Sequence, residues 1–394
     1  MTLASVYLHA LGMVNALGGD VDSIASALAS AHSPGMGPMP TRRGDAYVGR
    51  VLGPLGIAPP APMARFDCRN NRMLLAALEQ IRPDIEAARE RYGSARIGVV
   101  LGTSTSGVGE AEDAFLHRAE SGCLPERFDY RQMEIGTAAP FAAAALNVQG
   151  PAFTLSTACT SSAKAFVAAR RLLQVNLCDA IVAGGVDTLC ELTLQGFASL
   201  ESTSPECTNP MSRNRKGINI GEGAAVFLMT RDEGPVRLAG AGESSDAHHV
   251  SAPDPRGIGG ELALRAALAD AGITPADIGY VNLHATATRK NDEMESHLMA
   301  RVFPQGVPTS GTKPFTGHLL GAAGATELGF AWLTLTRSGL PLPLHRWDGV
   351  ADAALPALDL VQEERYLSCG AATRHVMSNS FAFGGSNVSL ILAG

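Results

Sequence analysis

Short apolar runs alternate with longer stretches of helical periodicity along the chain. The apolar runs, rich in Val, Ile, Leu and Ala, predict β-strands. They cover residues 6–14, 96–104, 152–157, 179–187 and 224–230 in the first part, and residues 236–243, 278–286, 307–312, 375–383 and 386–393 in the second. Helices are predicted between many of them, for example over residues 70–92 and 257–273. This alternation is typical of an α/β protein with mostly buried sheets.

The two parts of the chain repeat the same order of elements. Residues 152–173 predict a strand, a turn of small residues and an apolar helix, and residues 307–335 predict the same succession. Charge, Gly and Pro interrupt the pattern at residues 232–235. We therefore expect a duplicated α/β unit, with one half in residues 1–234 and the other in residues 235–394.

Composition and charge narrow the class of protein. The 394 residues are 46% hydrophobic and 18% charged, which is enough for one large domain or two packed ones. The net charge of −7, from 31 basic and 38 acidic residues, gives no overall attraction to nucleic acid or an anionic membrane. The chain shows neither a signal-peptide pattern nor an apolar stretch of about 18 residues. We expect a cytoplasmic protein that binds neither nucleic acid nor membrane.

The cysteines include one candidate nucleophile. They lack the spacing of a disulfide scaffold or a zinc site. Their positions are 68, 123, 159, 178, 190, 207 and 369. Cys159 lies in STACTSSAK, between an apolar strand and an Ala-rich helix. A helix N-terminus favours an anion, so we expect it to lower the pKa of Cys159. For this segment alone, a buried structural cysteine is an equal alternative.

Two histidines follow predicted strands in the second part. His284 ends a strand in YVNLHATATRKNDEMES, and His318 lies between a strand and the helix that opens with GHLLGAAGA. Parallel sheets collect chemistry at the carboxyl ends of their strands. Either histidine alone would more often be structural, but two in matching loops favour a site shared with Cys159. Lys313 and Glu327 flank His318 and are predicted to form an internal ion pair.

The loop NSFAFGGSN near the end of the chain has two interpretations. Gly384 and Gly385 permit backbone geometry that other residues resist, next to the large side chain of Phe383. One interpretation is a simple turn before the last strand. The other is a flexible gate whose backbone N–H helps to bind an oxyanion.

Together these segments resemble the β-ketoacyl-acyl-carrier-protein synthases of the two-histidine (type I and type II) kind. The matching motifs are TACTSS, VNLHATATRKND, GTKPFTGHLLGAAGATE and NSFAFGGSN, with ALGMVNALG near the start and RKGINIGEGAAVFL in the centre. The resemblance spans nearly the whole chain. It implies the thiolase fold, a duplicated five-layered αβαβα core, generally in a homodimer, with a heterodimer containing a related subunit as the alternative.

The resemblance also implies a decarboxylative Claisen condensation without redox or metal cofactor. Cys159 would hold an acyl chain from an acyl-carrier protein as a thioester, and malonyl-carrier protein would lose CO₂ and elongate it by two carbons. His284 and His318 would stabilise the enolate. The backbone N–H groups of Cys159 and Phe383 would hold the tetrahedral oxyanion. The product would be a fatty-acid, polyene or polyketide chain.

Supporting roles follow from the same resemblance. Lys313, tied to Glu327, would fix the field around His318. Thr286 and Thr288 would hold the phosphopantetheine arm of the carrier. Because carrier proteins are acidic, we also expect a basic docking surface, although a solvated helix start is an equal alternative for it. The residues proposed for this surface are Arg65, Arg69 and Arg72.

Several positions depart from the pattern of the family. Ala285 and Ala382 replace glycines beside the predicted site, and Lys216 replaces an aspartate just after residues 209–212, which read NPMS. Lys164 stands on the nucleophile helix where His or Asn is common. None of these changes removes a predicted catalytic group. They indicate a divergent member that serves a specialised pathway.

Three relatives of the same fold are the main alternatives. A chain-length-factor-like subunit would lack the active cysteine, whereas Cys159 is present. A thiolase would use a second cysteine near the C-terminus, but AFGGSN occupies the comparable loop and Cys369 lies outside it. A ketosynthase of the His–Asn type is disfavoured by His318. A pure binding role would leave the Cys–His–His set unexplained.

Overall fold

The computed structural model describes residues 4–55, 58–59, 61–368 and 373–394, so Cys369 lies outside the described residues. The strands are β1 (Tyr7–Val14), β2 (Met36–Thr41), β3 (Gly44–Gly49), β4 (Ile97–Gly102), β5 (Ala152–Leu155), β6 (Ala180–Asp187), β7 (Ile220–Gly221), β8 (Gly223–Thr230), β9 (Val236–Ser245), β10 (Ile278–Asn282), β11 (Thr309–Ser310), β12 (His375–Phe381) and β13 (Ser386–Ala393). The helices are α1 (Val21–Ala29), α2 (Arg69–Gln80), α3 (Arg82–Tyr92), α4 (Val108–Ser121), α5 (Ala138–Leu146), α6 (Ser161–Gln174), α7 (Glu191–Ser199), α8 (Ile258–Ala271), α9 (Arg289–Val302), α10 (Lys313–Thr316) and α11 (Ala323–Thr336).

Two features differ from the sequence prediction. The single helix expected over residues 70–92 is divided at Ile81 into α2 and α3, because Pro83 lacks an N–H and its ring clashes with a continuous helix. The hairpin of β2 and β3, which pairs with β7, was not predicted. Its strands contain Gly and Pro and are partly exposed, so they lack a continuous apolar run.

The main sheet repeats one strand order in the two halves of the chain. The first half has the order β5-β4-β6-β8-β1, and the second has β11-β10-β12-β13-β9. In both halves the first three strands are parallel and the next neighbours antiparallel. Within the described residues, the two halves of the sheet are joined by the pairing of Tyr7 and Leu8 of β1 with β9. This repeat is the predicted duplication, while the division at residue 234 stays a prediction that the repeat supports.

The helices complete five layers. Helices α6 and α11 lie between the two halves of the sheet, α2 and α5 cover the outer face of the first half, and α8 and α9 cover that of the second. In the central layer, Phe227 of β8 packs edge to face against Phe166 of α6 and Trp332 of α11. A Cβ at Gly324 would lie 2.9 Å from the Cβ of Ala163, so only glycine permits this approach of α11 to α6. In the part of the chain that is described, no helix is both long and apolar enough to span a bilayer.

Lys164 has a structural explanation that the sequence did not provide. Its ammonium lies 3.0 Å from the carboxylate of Glu243 on β9, and Arg171 binds the other oxygen of Glu243 at 2.7 Å. Helix α6 of the first half, which follows Cys159, is therefore tied to a strand of the second half.

Candidate active site

The predicted site residues lie at the carboxyl ends of strands in both halves. Cys159 lies between β5 and α6, and His318 lies at the equivalent place between β11 and α11. His284 follows β10, and Phe383 lies in the turn between β12 and β13. The fold duplication thus brings the loops of the two halves to one place, as expected for parallel strands.

Cys159, His284 and His318 form a compact buried cluster. The Sγ atom of Cys159 lies 2.9 Å from Nε2 of His318, and the two imidazole rings meet edge to face with centroids 5.3 Å apart. All three residues are at most 5% exposed. Ala158, just before the cysteine, has a left-handed φ of +53°, which marks a sharp turn between β5 and α6. At this distance the thiol of Cys159 can transfer its proton directly to the imidazole of His318.

Lys313 lies against His284. Its Nζ atom donates to the carbonyl oxygen of His284 and to the Glu327 carboxylate at 2.6 Å, and lies 3.4 Å from Nδ1 of His284. Because an ammonium can only donate, Nδ1 of His284 is an acceptor and the ring proton is on Nε2. The predicted ion pair is present, but its hydrogen bonds reach His284 instead of His318.

Burial dominates the protonation of the cluster. It lowers the pKa of His284 and of His318 well below the usual value, and the charge of Lys313 lowers both further, so both rings are neutral. Burial raises the pKa of Cys159 to about 11, although the charge of Lys313 acts against it. The expectation of a lowered thiol pKa at the helix N-terminus is therefore wrong. At neutral pH, the resting pair is a thiol and a neutral imidazole.

Two backbone N–H groups face the sulfur atom. Those of Phe383 and of Cys159 itself both stabilise the charged form of Cys159 and so act to lower its pKa. They are the two donors predicted to bind an oxyanion. The structure therefore brings together the groups that this prediction requires, and the role itself stays a prediction.

Two buried carboxylates that sequence reasoning missed hold the loop after His284. Glu295 accepts the N–H groups of His284 and Ala285, both at 2.7 Å, and Asp292 accepts that of Ala287 at 3.0 Å. Burial raises the pKa of Glu295 to about 7 and that of Asp292 to about 6. Their spacing of three residues on α9 places both on one helix face. That spacing is visible in the sequence NDEMES (291–296) and could have indicated that both carboxylates face the His284 loop.

A cavity of about 500 Å³ opens onto the Cys–His–His cluster. The hydroxyl groups of Thr286 and Thr288 line it and lie 3.0 Å apart. Phe383 forms part of its wall, with its ring 5.5 Å from that of Phe197. The exposed side chain of Lys216 lines the same cavity and pairs with Glu206 at 3.3 Å. The predicted pantetheine ligands and gate are thus placed along one cavity.

The loop predicted to act as a gate contains consecutive left-handed glycines. Gly384 and Gly385 have φ values of +84° and +81°, a conformation that other residues adopt at a cost. Ala382, which replaces a glycine of the family pattern, does not have a positive φ and is accommodated without backbone strain.

The cluster fits a resident metal ion poorly. One ligand atom from each of Cys159, His284 and His318 lies within 4.8 Å of the others, which is a possible metal geometry. The ammonium of Lys313 lies beside His284, however, and repels a cation.

The three predicted carrier-binding arginines lie in a separate groove, and each has an internal contact. Arg69 forms a bidentate pair with the buried carboxylate of Glu222 at 2.5 and 2.9 Å. Arg72 pairs with Asp67 at 2.6 Å, and the guanidinium of Arg65 lies 5.0 Å from the ring centroid of Phe66. Because Glu222 is buried whereas Asp67 is partly exposed, the pair of Arg69 indicates a structural role, and a docking role for Arg65 and Arg72 stays a prediction.

A duplicated αβαβα core with a buried cysteine at the start of a central helix defines a thiolase-fold acyltransferase. Comparisons with known proteins narrow this class. The family "Beta-ketoacyl synthase, N-terminal domain" matches residues 61–234, and "Beta-ketoacyl synthase, C-terminal domain" matches residues 236–346. The chain belongs to the β-ketoacyl synthase family.

Individual relatives agree with this assignment. The chain is 30% identical to 3-oxoacyl-[acyl-carrier-protein] synthase 2 of Coxiella burnetii over 98% of both chains, and 31% identical to Nodulation protein E of Rhizobium meliloti over 75% of both. A chain of the complex between a ketosynthase (ApeO) and its chain length factor (ApeC) from Xenorhabdus doucetiae is 46% identical, with a TM-score of 0.94 over 99% of this chain and 98% of that one.

The predicted family, fold class and enzyme class are confirmed. The protein is a condensing acyltransferase that elongates acyl chains, and members of this family need no cofactor apart from substrates carried on acyl-carrier protein.

Proposed function

We propose that Cys159 holds the growing chain as a thioester and that the two histidines catalyse its condensation with malonyl-carrier protein. The observation that carries this proposal is the 2.9 Å contact between Sγ of Cys159 and Nε2 of His318, at the end of the cavity lined by Thr286 and Thr288. The cavity gives a pantetheine arm a route to a thiol that already has a proton acceptor.

In the acylation step, the thiol proton of Cys159 passes to Nε2 of His318 while sulfur attacks the thioester carbonyl. The oxyanion is held by the N–H groups of Cys159 and Phe383. When the tetrahedral intermediate collapses, the carbon–sulfur bond to the pantetheine breaks and His318 returns the proton to the leaving thiolate. The raised pKa of Cys159 makes this proton transfer necessary, because little thiolate exists at neutral pH.

In the condensation step, malonyl-carrier protein loses CO₂ and its electron pair moves into an enolate. His284 donates Nε2–H to the enolate oxygen, because Lys313 keeps its Nδ1 atom an acceptor. Acylation removes the thiol proton that Nε2 of His318 accepts, and exchange of the ring proton from Nδ1 to Nε2 through solvent then makes His318 the second donor. The enolate carbon then attacks the acyl thioester carbonyl. Collapse of the tetrahedral oxyanion breaks the carbon–sulfur bond to Cys159 and releases the β-ketoacyl carrier protein, and the expelled thiolate takes a proton from solvent.

The protein is also proposed to act as a dimer. In the described part of the chain, β5 is the last strand of its half of the sheet and its outer edge has no strand partner. Its residues AFTL are mostly apolar and only partly buried, and an open apolar edge is a template for pairing with another chain. The likeness to the ApeO–ApeC complex supports a heterodimer with a chain-length-factor subunit, with a homodimer as the alternative.

The same likeness supports a specialised pathway, such as polyene or polyketide assembly, over primary fatty-acid synthesis. A chain-length-factor role for this chain is opposed by the presence of Cys159 beside His318. Cytoplasmic localisation, expected from the sequence, is part of the proposal.

The test is product formation from acyl- and malonyl-carrier proteins, followed by mass spectrometry of the carrier-bound chain. Wild-type protein, with its partner subunit if one is required, is expected to give a β-ketoacyl product two carbons longer. His284→Ala should retain Cys159 acylation and lose malonyl decarboxylation. If His284→Ala decarboxylates malonyl-carrier protein as fast as wild type, the assignment of His284 is wrong.

A further inference from the structure

Residues 285 and 311 lie side by side next to His284. The backbone at position 285 favours glycine but carries alanine, and the backbone at position 311 does not require glycine but carries it. Ala285 has a left-handed φ of +39°, a conformation in which glycine is the unstrained residue. Gly311 is not among the residues of positive φ, so its backbone conformation does not itself require glycine. If backbone conformation alone decided, glycine would be expected at position 285 and alanine at position 311.

A steric clash explains why Gly311 cannot have a side chain. A Cβ at this position would lie 2.4 Å from the Cβ of Ala285, a distance that real atoms do not adopt. The next nearest atom, in Pro210, would be at an ordinary 3.6 Å. Among the described residues, Ala285 is therefore the one steric obstacle closer than 3.6 Å, and only one of the two positions can carry a methyl group.

Neither segment is free to move away. The N–H of Leu283 donates to the carbonyl of Ser310 at 2.9 Å, which continues the pairing of β10 with β11. The N–H of Gly311 donates to Nδ1 of His345 at 3.0 Å, and Nε2 of His345 donates to the carbonyl of Pro210 at 3.0 Å. Burial lowers the pKa of His345 to about 4, which keeps this acceptor neutral at working pH.

Both positions adjoin groups of the proposed mechanism. The N–H of Ala285 is bound by Glu295, and the carbonyl of the preceding His284 accepts from Lys313, which follows Gly311 by two residues. An alanine in the left-handed region has a far narrower range of backbone angles than a glycine. The methyl group of Ala285 therefore restricts the peptide that carries His284.

We propose that Ala285 and Gly311 are a complementary pair in which Ala285 is a positioning residue that fixes His284 against Lys313. This inference rests on the proposed role of His284 in decarboxylation. Adding a methyl group at Gly311 should displace Ala285 and disturb this contact. Moving the methyl group from one position to the other should restore the packing.

The experiment compares Gly311→Ala, Ala285→Gly and the double variant with wild type in two assays. One follows decarboxylation of malonyl-carrier protein, and the other follows acylation of Cys159 by intact-protein mass spectrometry. Gly311→Ala should slow decarboxylation by about tenfold or more, because overpacking shifts the loop of His284, with acylation within about twofold of wild type. The double variant should recover decarboxylation to within about threefold. Ala285→Gly alone should slow decarboxylation by about threefold.

Each result decides between the alternatives. A double variant as slow as Gly311→Ala, or a Gly311→Ala variant as fast as wild type, would overturn the pairing. If Gly311→Ala does not fold, as judged by circular dichroism, the Ala285→Gly variant provides the test. Decarboxylation by Ala285→Gly at the wild-type rate would then overturn the inference. Equal loss of acylation and decarboxylation would indicate a merely structural effect and also overturn it. If wild-type protein acylates Cys159 but never decarboxylates malonyl-carrier protein, the proposed function fails first.

Discussion

The buried ion pair between Lys313 and Glu327 provides a quantitative test that separates stability from chemistry. Its atoms lie 2.6 Å apart and the two side chains are only 2% and 4% exposed. Glu327→Gln preserves size and a hydrogen-bonding group but leaves the ammonium of Lys313 without its counter-charge. We expect this variant to lose both stability and activity.

The size of the expected loss of stability follows from the distance between the charged atoms of Lys313 and Glu327. At 2.6 Å and an effective dielectric constant of about 20, the attraction between unit charges is about 6 kcal/mol. Measured losses on breaking buried pairs are about 3–5 kcal/mol, because the remaining charge is partly relieved by water or by deprotonation. For a protein of this size, such a loss should lower the midpoint of thermal unfolding by roughly 5 °C or more.

Removing both charges should have a different effect. The double variant Lys313→Met, Glu327→Leu leaves no unpaired charge, and replacing a buried pair by apolar groups is often neutral for stability. Its unfolding midpoint should therefore exceed that of Glu327→Gln. Its decarboxylation should still fall by about a hundredfold, because Nδ1 of His284 loses the donor that fixes its tautomer.

Thermal unfolding and malonyl-carrier protein decarboxylation, measured on the same preparations, check this reasoning. Lys313→Met alone is the matched control, since it leaves Glu327 unpaired. A Glu327→Gln variant with the unfolding midpoint of wild type would refute the energetic argument. A double variant with full decarboxylation would refute the role of Lys313.

Three further predictions concern other parts of the molecule. The alkylation rate of Cys159 by iodoacetamide should keep rising with pH through pH 9.5, because its pKa is raised to about 11; a plateau near pH 8 would contradict the buried-thiol state. Arg69→Ala should lower the free energy of unfolding by about 1–2 kcal/mol, because it leaves the carboxylate of Glu222, which is 2% exposed, without its partner. Arg72→Ala should change it little, because its partner Asp67 is 31% exposed; equal effects in thermal unfolding would contradict the structural role of the Glu222 pair. His345→Leu should reduce decarboxylation more than His345→Asn, whose amide can still accept and donate, and the reverse order would contradict the support assigned to this ring.

Much of the architecture could be predicted because its signals are local. The strands of the main sheet are apolar runs, and the predicted positions agree with β1, β4, β5, β6, β8 and the five strands of the second half. Cys159 and His318 were recognisable because each lies between a strand and a helix of small residues. Matching loops in the two halves were visible for the same reason.

The features of the site that could not be predicted depend on contacts between segments that are far apart in the sequence. The hydrogen bond from Lys313 to the carbonyl of His284 joins residues 29 apart, and no spacing in the sequence indicates it. The helix N-terminus suggested a lowered pKa for Cys159, but the burial of the thiol has the larger effect and is a property of the assembled core. The contact between Ala285 and Gly311 likewise appears only when β10 and β11 lie side by side.

The central claim is that Cys159 carries the acyl chain, and intact-protein mass spectrometry tests it most directly. Wild-type protein is incubated with a panel of acyl-carrier proteins, and peptide mapping then locates any adduct. We expect a mass increase of one acyl group on the peptide that contains Cys159, and no increase in Cys159→Ala. A folded wild-type protein that gains no acyl group from any donor, or an equal adduct on Cys159→Ala, would contradict it.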